Sequence, residues 1–190
     1  MKGAFAGDLA RMLDGVPRSW RARLGFLLLS SELHCVACYR FGRFARRMAA
    51  RHRLVALPLV VAHRFWNRRC THVHHCDVHR HARIGPGLVI MHRTGVLVGP
   101  ATIGRNATLH QNVTIGMRVA RNDQGTPRIG DNVWIGPGAT ITGAITVGDD
   151  VTVSAGTVLS RDVPARSLVA GNPGRVIARD YDNSTIVNAS

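Results

Sequence analysis

The sequence predicts a mainly β fold: a left-handed parallel β-helix of hexapeptide repeats with an N-terminal α-helical cap. From residue 78 onward, aliphatic residues return every six positions. They run Val78, Ile84, Ile90 and Val96, then Ile103, Leu109 and Ile115, then Ile129, Ile135, Ile141, Val147, Val153 and Leu159. Gly follows the aliphatic position at Gly85, Gly104, Gly116, Gly130, Gly136 and Gly148. Before residue 70 the steps are instead three and four residues, the period of amphipathic helices.

The helical part comes first. Pro17 and Ser19 open one helix at Trp20, followed by Leu24, Leu27 and Leu28. Ser31 is the expected N-cap of a second helix, whose apolar stripe is Leu33, Val36, Ala37, Phe41, Phe44, Ala45 and Met48. Arg40, Arg43, Arg46 and Arg47 flank that stripe. A third helix is expected from Pro58 to Arg69. The organisation read from these signals is a helical region over 1–72, a β-helix over 73–178 and a C-terminal tail over 179–190.

A repeat of six is neither the period of a strand nor that of a helix, and a parallel β-helix accounts for it. Each hexapeptide makes one short strand and one turn, and three make a triangular coil. A second series of small or aliphatic residues sits two places before the first: Ala101, Ala107, Val113, Val133, Ala139, Ile145 and Val151. These suit the tight corners. One extra residue shifts the phase between Val96 and Ile103. A β-sandwich would show 8–12-residue spacing and alternation instead. Residues 117–128 break the repeat with a polar insertion, the kind of loop that carries function.

Charge separates the two parts. The net charge is +14, and residues 1–83 hold 16 Lys or Arg against 4 Asp or Glu, leaving 9 against 7 for the remainder. A solvated helix surface and attraction to anionic lipid head groups both account for the excess. No nucleic-acid motif accompanies it, so nucleic acid is not the expected partner. The longest uncharged run, Leu54 to Ala62, is far short of the roughly 20 residues that span a bilayer. No secretory leader pattern opens the chain. The expectation is a cytoplasmic protein that can lie against the inner face of the membrane. Cys35, Cys38, Cys70 and Cys76 are expected as buried thiols. His72, His74, His75, Cys76 and His79 show no regular ligand spacing, so no metal is expected.

The stretches "CDVHRHARIG", "MHRTGVLVG", "ATIGRNATLHQNVTIG", "RIGDNVWIGPGATITGAITVGDDVTVSAGTVLSRDVP" and "AGNPGRVI" resemble the hexapeptide-repeat acyltransferases. The resemblance is specifically to the serine O-acetyltransferase family and its relatives that acetylate exopolysaccharide sugars, such as the colanic acid type. It implies acetyl-CoA as co-substrate, His92 as general base and Asp77 as the carboxylate that orients it. An imidazole near pKa 6.5 suits removal of a hydroxyl proton during attack on a thioester. His110 is a weaker second candidate. The resemblance also implies a CoA groove between prisms of a homotrimer. Gly136, Ala155 and Gly156 would line the pantetheine arm, and Ser160, Arg161 and Arg175 would meet the phosphates, where guanidinium groups fit well.

The family's serine contacts are not all present. Met91 stands where the serine enzymes carry an Asp before the base, and Gly125 and Thr126 stand where they carry an Arg-His pair. Each charge-assisted hydrogen bond lost costs about 1.5–3 kcal/mol. The expected acceptor is therefore a neutral hydroxyl, on a small sugar or a lipid-linked saccharide, with serine as the alternative. Arg93, Arg118 and Arg121 are candidates to replace the missing charges. A non-catalytic or carbonic-anhydrase-like prism is a further alternative; His92 and His110 lie one coil apart, but no third His follows.

Overall fold

A computed structural model describes residues 3–118 and 125–188. The expected prism follows four helices. β1 (Cys76–Val78), β4 (Val96–Val98), β7 (Thr114–Gly116), β10 (Thr140–Thr142) and β13 (Val158–Leu159) stack in parallel as its first face. β2 (Arg83–Ile84), β5 (Thr102–Ile103), β8 (Arg128–Ile129) and β11 (Thr146–Val147) form the second. β3 (Val89–Ile90), β6 (Thr108–Leu109), β9 (Trp134–Ile135), β12 (Thr152–Val153) and β14 (Ser167–Ala170) form the third. The result is a left-handed β-helix of about five turns.

The register corrects one detail of the repeat. Val98, not Val96, pairs with Ile115 and with Val78. Val96 pairs with Cys76 and so belongs to the corner series. The step from Ile90 to the next in-register aliphatic residue is therefore eight, and from Val98 to Ile103 it is five. The six-step from Ile90 to Val96 is coincidental. The turn between them, Met91 to Gly95, carries two extra residues and is the widest of its edge.

The left-handed winding needs residues with positive φ at the corners. Asn and Asp tolerate this region better than other side chains. On the edge between the second and third faces they are Asn106, Asn132, Asp150 and Arg166, with φ of 54–56°. The Asn106 amide donates to Asn132 Oδ1 at 3.0 Å, and the Asn132 amide donates to Asp150 Oδ1 at 3.0 Å. Asp131 and Asp149 cap neighbouring backbone N–H groups at 2.6 and 2.7 Å. The interior is the aliphatic column, with Ile90, Val98, Leu109, Ile115, Ile135, Ile141, Val153 and Leu159 all buried.

The cap contains one helix more than expected. α1 (Ala4–Leu13) precedes α2 (Trp20–Leu29), α3 (Ser31–Arg51) and α4 (Arg53–Val73). Ser19 caps α2 as expected, accepting from Ala22 N at 3.3 Å. Ser30, rather than Ser31, caps α3 by accepting from Leu33 N. α4 begins at Arg53, so Pro58 lies inside it and the Leu54 carbonyl loses its usual donor. Exposure of Leu54 leaves that carbonyl near water.

α3 closes the open first coil. The Tyr39 hydroxyl donates to Ala82 O at 3.0 Å and accepts from Ile84 N at 3.1 Å. Arg40 is not a solvated flank. It clamps the fully buried Asp8 of α1 through 2.7 and 2.9 Å contacts and also donates to Ile84 O and Gly85 O. Asp8 in turn accepts from Gly87 N and Leu88 N, both at 2.8 Å. This is how an array of coils is ended: its last apolar surface is covered and its backbone groups are satisfied. Arg11 bridges Gly87 O, Thr108 Oγ1 and Val187 O.

The C-terminal residues pack rather than trail. β15 (Arg175–Arg179) pairs antiparallel with β14. Asn183 then donates to Asn132 O at 2.9 Å, and α5 (Ser184–Asn188) buries Val187.

Candidate active site

His92 sits in the widened turn between β3 and β4, with φ of 52°. It is solvent-exposed and stands in the widened part of the turn, while Gly95, at φ of 74°, holds the left-handed position that Asn112, Gly138 and Gly156 hold one, two and three coils further on. His is among the residues enriched in this conformation, though far less suited to it than Gly. The turn is tied to the helix-to-prism junction, because Gly95 N donates to His75 O at 2.9 Å.

The same edge collects most of the residues expected around the thioester. Gly136, Ala155 and Gly156 follow the third-face strands β9 and β12, as His92 follows β3. Three strand spacings separate the His92 coil from the Ala155 coil, about 14 Å along the edge. Gly136 is buried, and a Cβ there would meet Ala155 N at 2.8 Å. From Gly136 to Gly156 the edge is thus smooth, with small side chains and backbone N–H groups.

Ser160 and Arg161 lie on a different edge, after the first-face strand β13, and both are exposed. Arg175 begins β15. Arg161 and Arg175 nevertheless line one cavity of about 320 Å³ at the far end of the prism, with Gly174 and Val176. Asp162 is also on its wall, but its carboxylate accepts from Thr146 N at 2.7 Å.

Asp77 projects from β1, in register with Leu97 of β4. Among the described residues no hydrogen bond or ion pair joins it to His92. Its charge acts instead on His79, whose pKa is lowered by burial and by His81 and Arg80 while Asp77 opposes the shift. Arg93 is already engaged, since its Nη1 meets Glu32 at 3.3 Å. Arg118 is exposed and Arg121 lies outside the described residues. Gly125 and Thr126 line a separate cavity of about 400 Å³ with Ala144 and Thr146.

His110, the weaker candidate of the sequence, lies on the same edge as His92. Its ring lies 4.7 Å from that of Trp134, and its Nε2 is buried without a partner among the described residues. Burial lowers its pKa, and the nearby His92 lowers it further. Gln111 Oε1, the next residue on this edge, is also buried and unpartnered. The register pairs Trp134 with Thr108, two positions before His110, and so brings the two rings together.

Comparison with known proteins adds an independent line. Residues 126–161 match the family model "Bacterial transferase hexapeptide (six repeats)". A serine acetyltransferase of Helicobacter pylori is 33% identical over 139 residues, covering 73% of this chain and 75% of that protein. The chain belongs to the serine acetyltransferase family. A probable serine acetyltransferase of rice is 36% identical over 97 residues, but this chain spans only 27% of its length. A crystal structure of the serine acetyltransferase of Brucella abortus in complex with coenzyme A superimposes with a TM-score of 0.76 at 26% identity. That match covers 93% of this chain and 67% of the other, so the family likeness extends into the helical cap.

Proposed function

We propose that this chain transfers the acetyl group of acetyl-CoA to the hydroxyl of serine, with His92 as general base. The observation that carries the reading is an exposed imidazole at the head of an edge whose later coils, at Gly136, Gly138, Ala155 and Gly156, are lined by small residues. A thioester lying along Gly156, Ala155 and Gly136 would bring its carbonyl to His92. The imidazole takes the hydroxyl proton as the oxygen attacks the carbonyl carbon. The tetrahedral intermediate collapses, the C–S bond breaks, and the imidazolium returns the proton to the departing thiolate. Arg161 and Arg175, which line one cavity at the far end, would meet the phosphate groups. No metal has a step in this scheme.

On a single chain His92 faces solvent, so a second prism must close the groove. This supports a homotrimer in which Asp77 meets His92 only once the cleft is assembled. The relatives named for serine support that acceptor. A second reading, a sugar or lipid-linked saccharide hydroxyl, is favoured by the neutral Met91, Gly125 and Thr126. Thiol release from acetyl-CoA with serine and with a panel of sugars tests both. Faster release with serine supports the first reading, faster release with a sugar replaces it, and no release with any acceptor ends both.

The helical cap supports a peripheral contact with anionic lipid at the inner face of the membrane, within a cytoplasmic setting. α2 buries none of its residues, and Trp20, Leu28, Leu54, Leu57 and Phe65 are exposed. Residues 33–76 hold nine Arg and no Asp or Glu. An apolar face rimmed by guanidinium groups suits such a surface. Among the described residues no helix is long and apolar enough to cross a membrane. Co-sedimentation with anionic but not neutral vesicles is expected; equal recovery with both would remove this part of the reading.

A further inference from the structure

The helical cap carries an apolar cavity that the proposed reaction does not use. It measures about 520 Å³ and lies among α1, α3, α4 and β2, with Phe5, Ala37, Phe41, Phe44, Trp66 and Ile84 in its walls. Ala37, Phe41 and Phe44 recur at four- and three-residue steps, so they share one face of α3. The rings of Phe41 and Trp66 lie 5.8 Å apart and close the wall between α3 and α4. Phe5 and Phe44 stay 36% and 38% exposed, so the cavity is open to solvent. A second cavity of about 440 Å³ lies further along α3, at Met48 and Arg51. The two share Phe44 and Arg47 and together make a trough along the helix. From Ala37 to Arg51 the helix advances about 21 Å.

Three arginines line the first cavity, and they are not equivalent. Arg40 is spent on Asp8 and on the Ile84 and Gly85 carbonyls. Arg43 donates to the Tyr39 hydroxyl at 3.1 Å. Arg47 is exposed, lines both cavities, and has no hydrogen bond or ion pair among the described residues. No Asp or Glu lies between residues 33 and 76 to neutralise it. An apolar trough with one free guanidinium is complementary to a hydrocarbon chain that ends in one negative charge. The length agrees. One leaflet's acyl chains extend about 15 Å, half of a hydrocarbon core of about 30 Å, so the trough has room for one such chain and its head group. A second copy of this chain suits it less. In a two-fold contact the same patch meets itself, and Arg43, Arg47 and Arg51 would face their own counterparts.

We propose that this trough binds one long-chain fatty acid, its hydrocarbon lying against Phe5, Phe41, Phe44 and Trp66 and its carboxylate paired with Arg47. A guanidinium fork fits a carboxylate through two parallel N–H···O bonds. One free guanidinium balances one carboxylate charge, whereas a phosphate head group brings more charge than the trough can match. The bound chain bridges α1 to α3 and α4. α1 supplies the Asp8 that accepts from Gly87 N and Leu88 N, so occupancy holds the seal on the first coil in place. The inference does not rest on the acetyl-transfer reading. Nor does it rest on the vesicle contact, because Trp20, Leu28, Leu54, Leu57 and Phe65 line neither cavity.

The test uses the full-length protein, stripped of bound lipid, with tetradecanoate kept below its micelle concentration. Native mass spectrometry should show one tetradecanoate per chain, and the melting temperature should rise as it is added. Tetradecanol and tetradecyltrimethylammonium carry the same chain without the negative charge and should bind about tenfold more weakly or worse. Arg47→Glu, at an exposed position, should weaken tetradecanoate binding by about tenfold or more, with an unchanged circular dichroism spectrum. Ala37→Phe should weaken it by filling the apolar wall. No binding, many tetradecanoates per chain without saturation, equal affinity for the alcohol, or undiminished affinity in Arg47→Glu would each overturn the proposal. Tighter binding of tetradecyl phosphate would reassign the site to a phosphate-headed lipid and overturn the fatty-acid assignment. A changed subunit count for Arg47→Glu in sedimentation would make the trough a contact between copies and overturn it as well.

Discussion

Two edges of this prism are built on the same left-handed turn and end in opposite states. Between the second and third faces, Asn106, Asn132 and Asp150 are joined side chain to side chain at 3.0 Å. Between the third and first faces, Gly95, Asn112, Gly138 and Gly156 hold the equivalent position, and His92 stands in the widened turn just before Gly95. There, His110 Nε2 and Gln111 Oε1 are buried and have no hydrogen-bond partner among the described residues. Buried polar atoms are normally paired, and each one left unpaired costs about 1–3 kcal/mol. The paired edge spends its polar groups on holding the coils together. The unpaired edge leaves these two unsatisfied among the described residues.

The largest expected effect separates these roles at His92. Asn also accepts a positive φ, so His92→Asn preserves the turn while removing the base. Thiol release should fall by about 10²–10⁴-fold, with the melting temperature nearly unchanged. A variant that keeps its rate would make this edge as structural as the other.

The converse substitution is Asn132→Ala. It deletes the bonds to Asn106 and Asp150 and leaves a residue with a Cβ at φ of 55°. Together these should cost about 2–3 kcal/mol, or roughly 4–12 °C in melting temperature for a chain of this size. Acetyl transfer per folded molecule should be unaffected. A loss of rate without loss of stability would mean that the ladder is part of the site.

The same contrast explains what could be read in the sequence. The ladder and the core were legible because every coil repeats the same demand: an aliphatic residue inward, then Gly, Asn or Asp at the turn. His92 was legible only through resemblance, since one irregular corner leaves no period. The coincidental six-step from Ile90 to Val96 hid the two residues that widen this corner. Register, which backbone pairing alone sets, exposed them. α1 was missed because its purpose lies far along the chain, in the clamp from Asp8 to Arg40 and the N–H groups of Gly87 and Leu88.

A smaller effect sharpens the comparison by pH. Burial lowers the folded-state pKa of His110, which His92 lowers further, and also lowers those of His63 and His74. A lowered imidazole pKa means that the unfolded chain takes up protons first on acidification. These groups therefore leave stability intact above about pH 6.5, the unfolded value. Stability is then lost as pH falls from there through the lower folded values, and levels off below them. Melting temperature should decline on the acid side of neutrality. His110→Phe removes one contributor and should flatten part of that decline. Asn132→Ala should lower the melting temperature by a similar amount on either side of pH 6.5, because its amide does not titrate. If His110→Phe left the acid slope as steep as before, the unpartnered imidazole would not be held neutral by the fold, and the two edges would differ in composition alone.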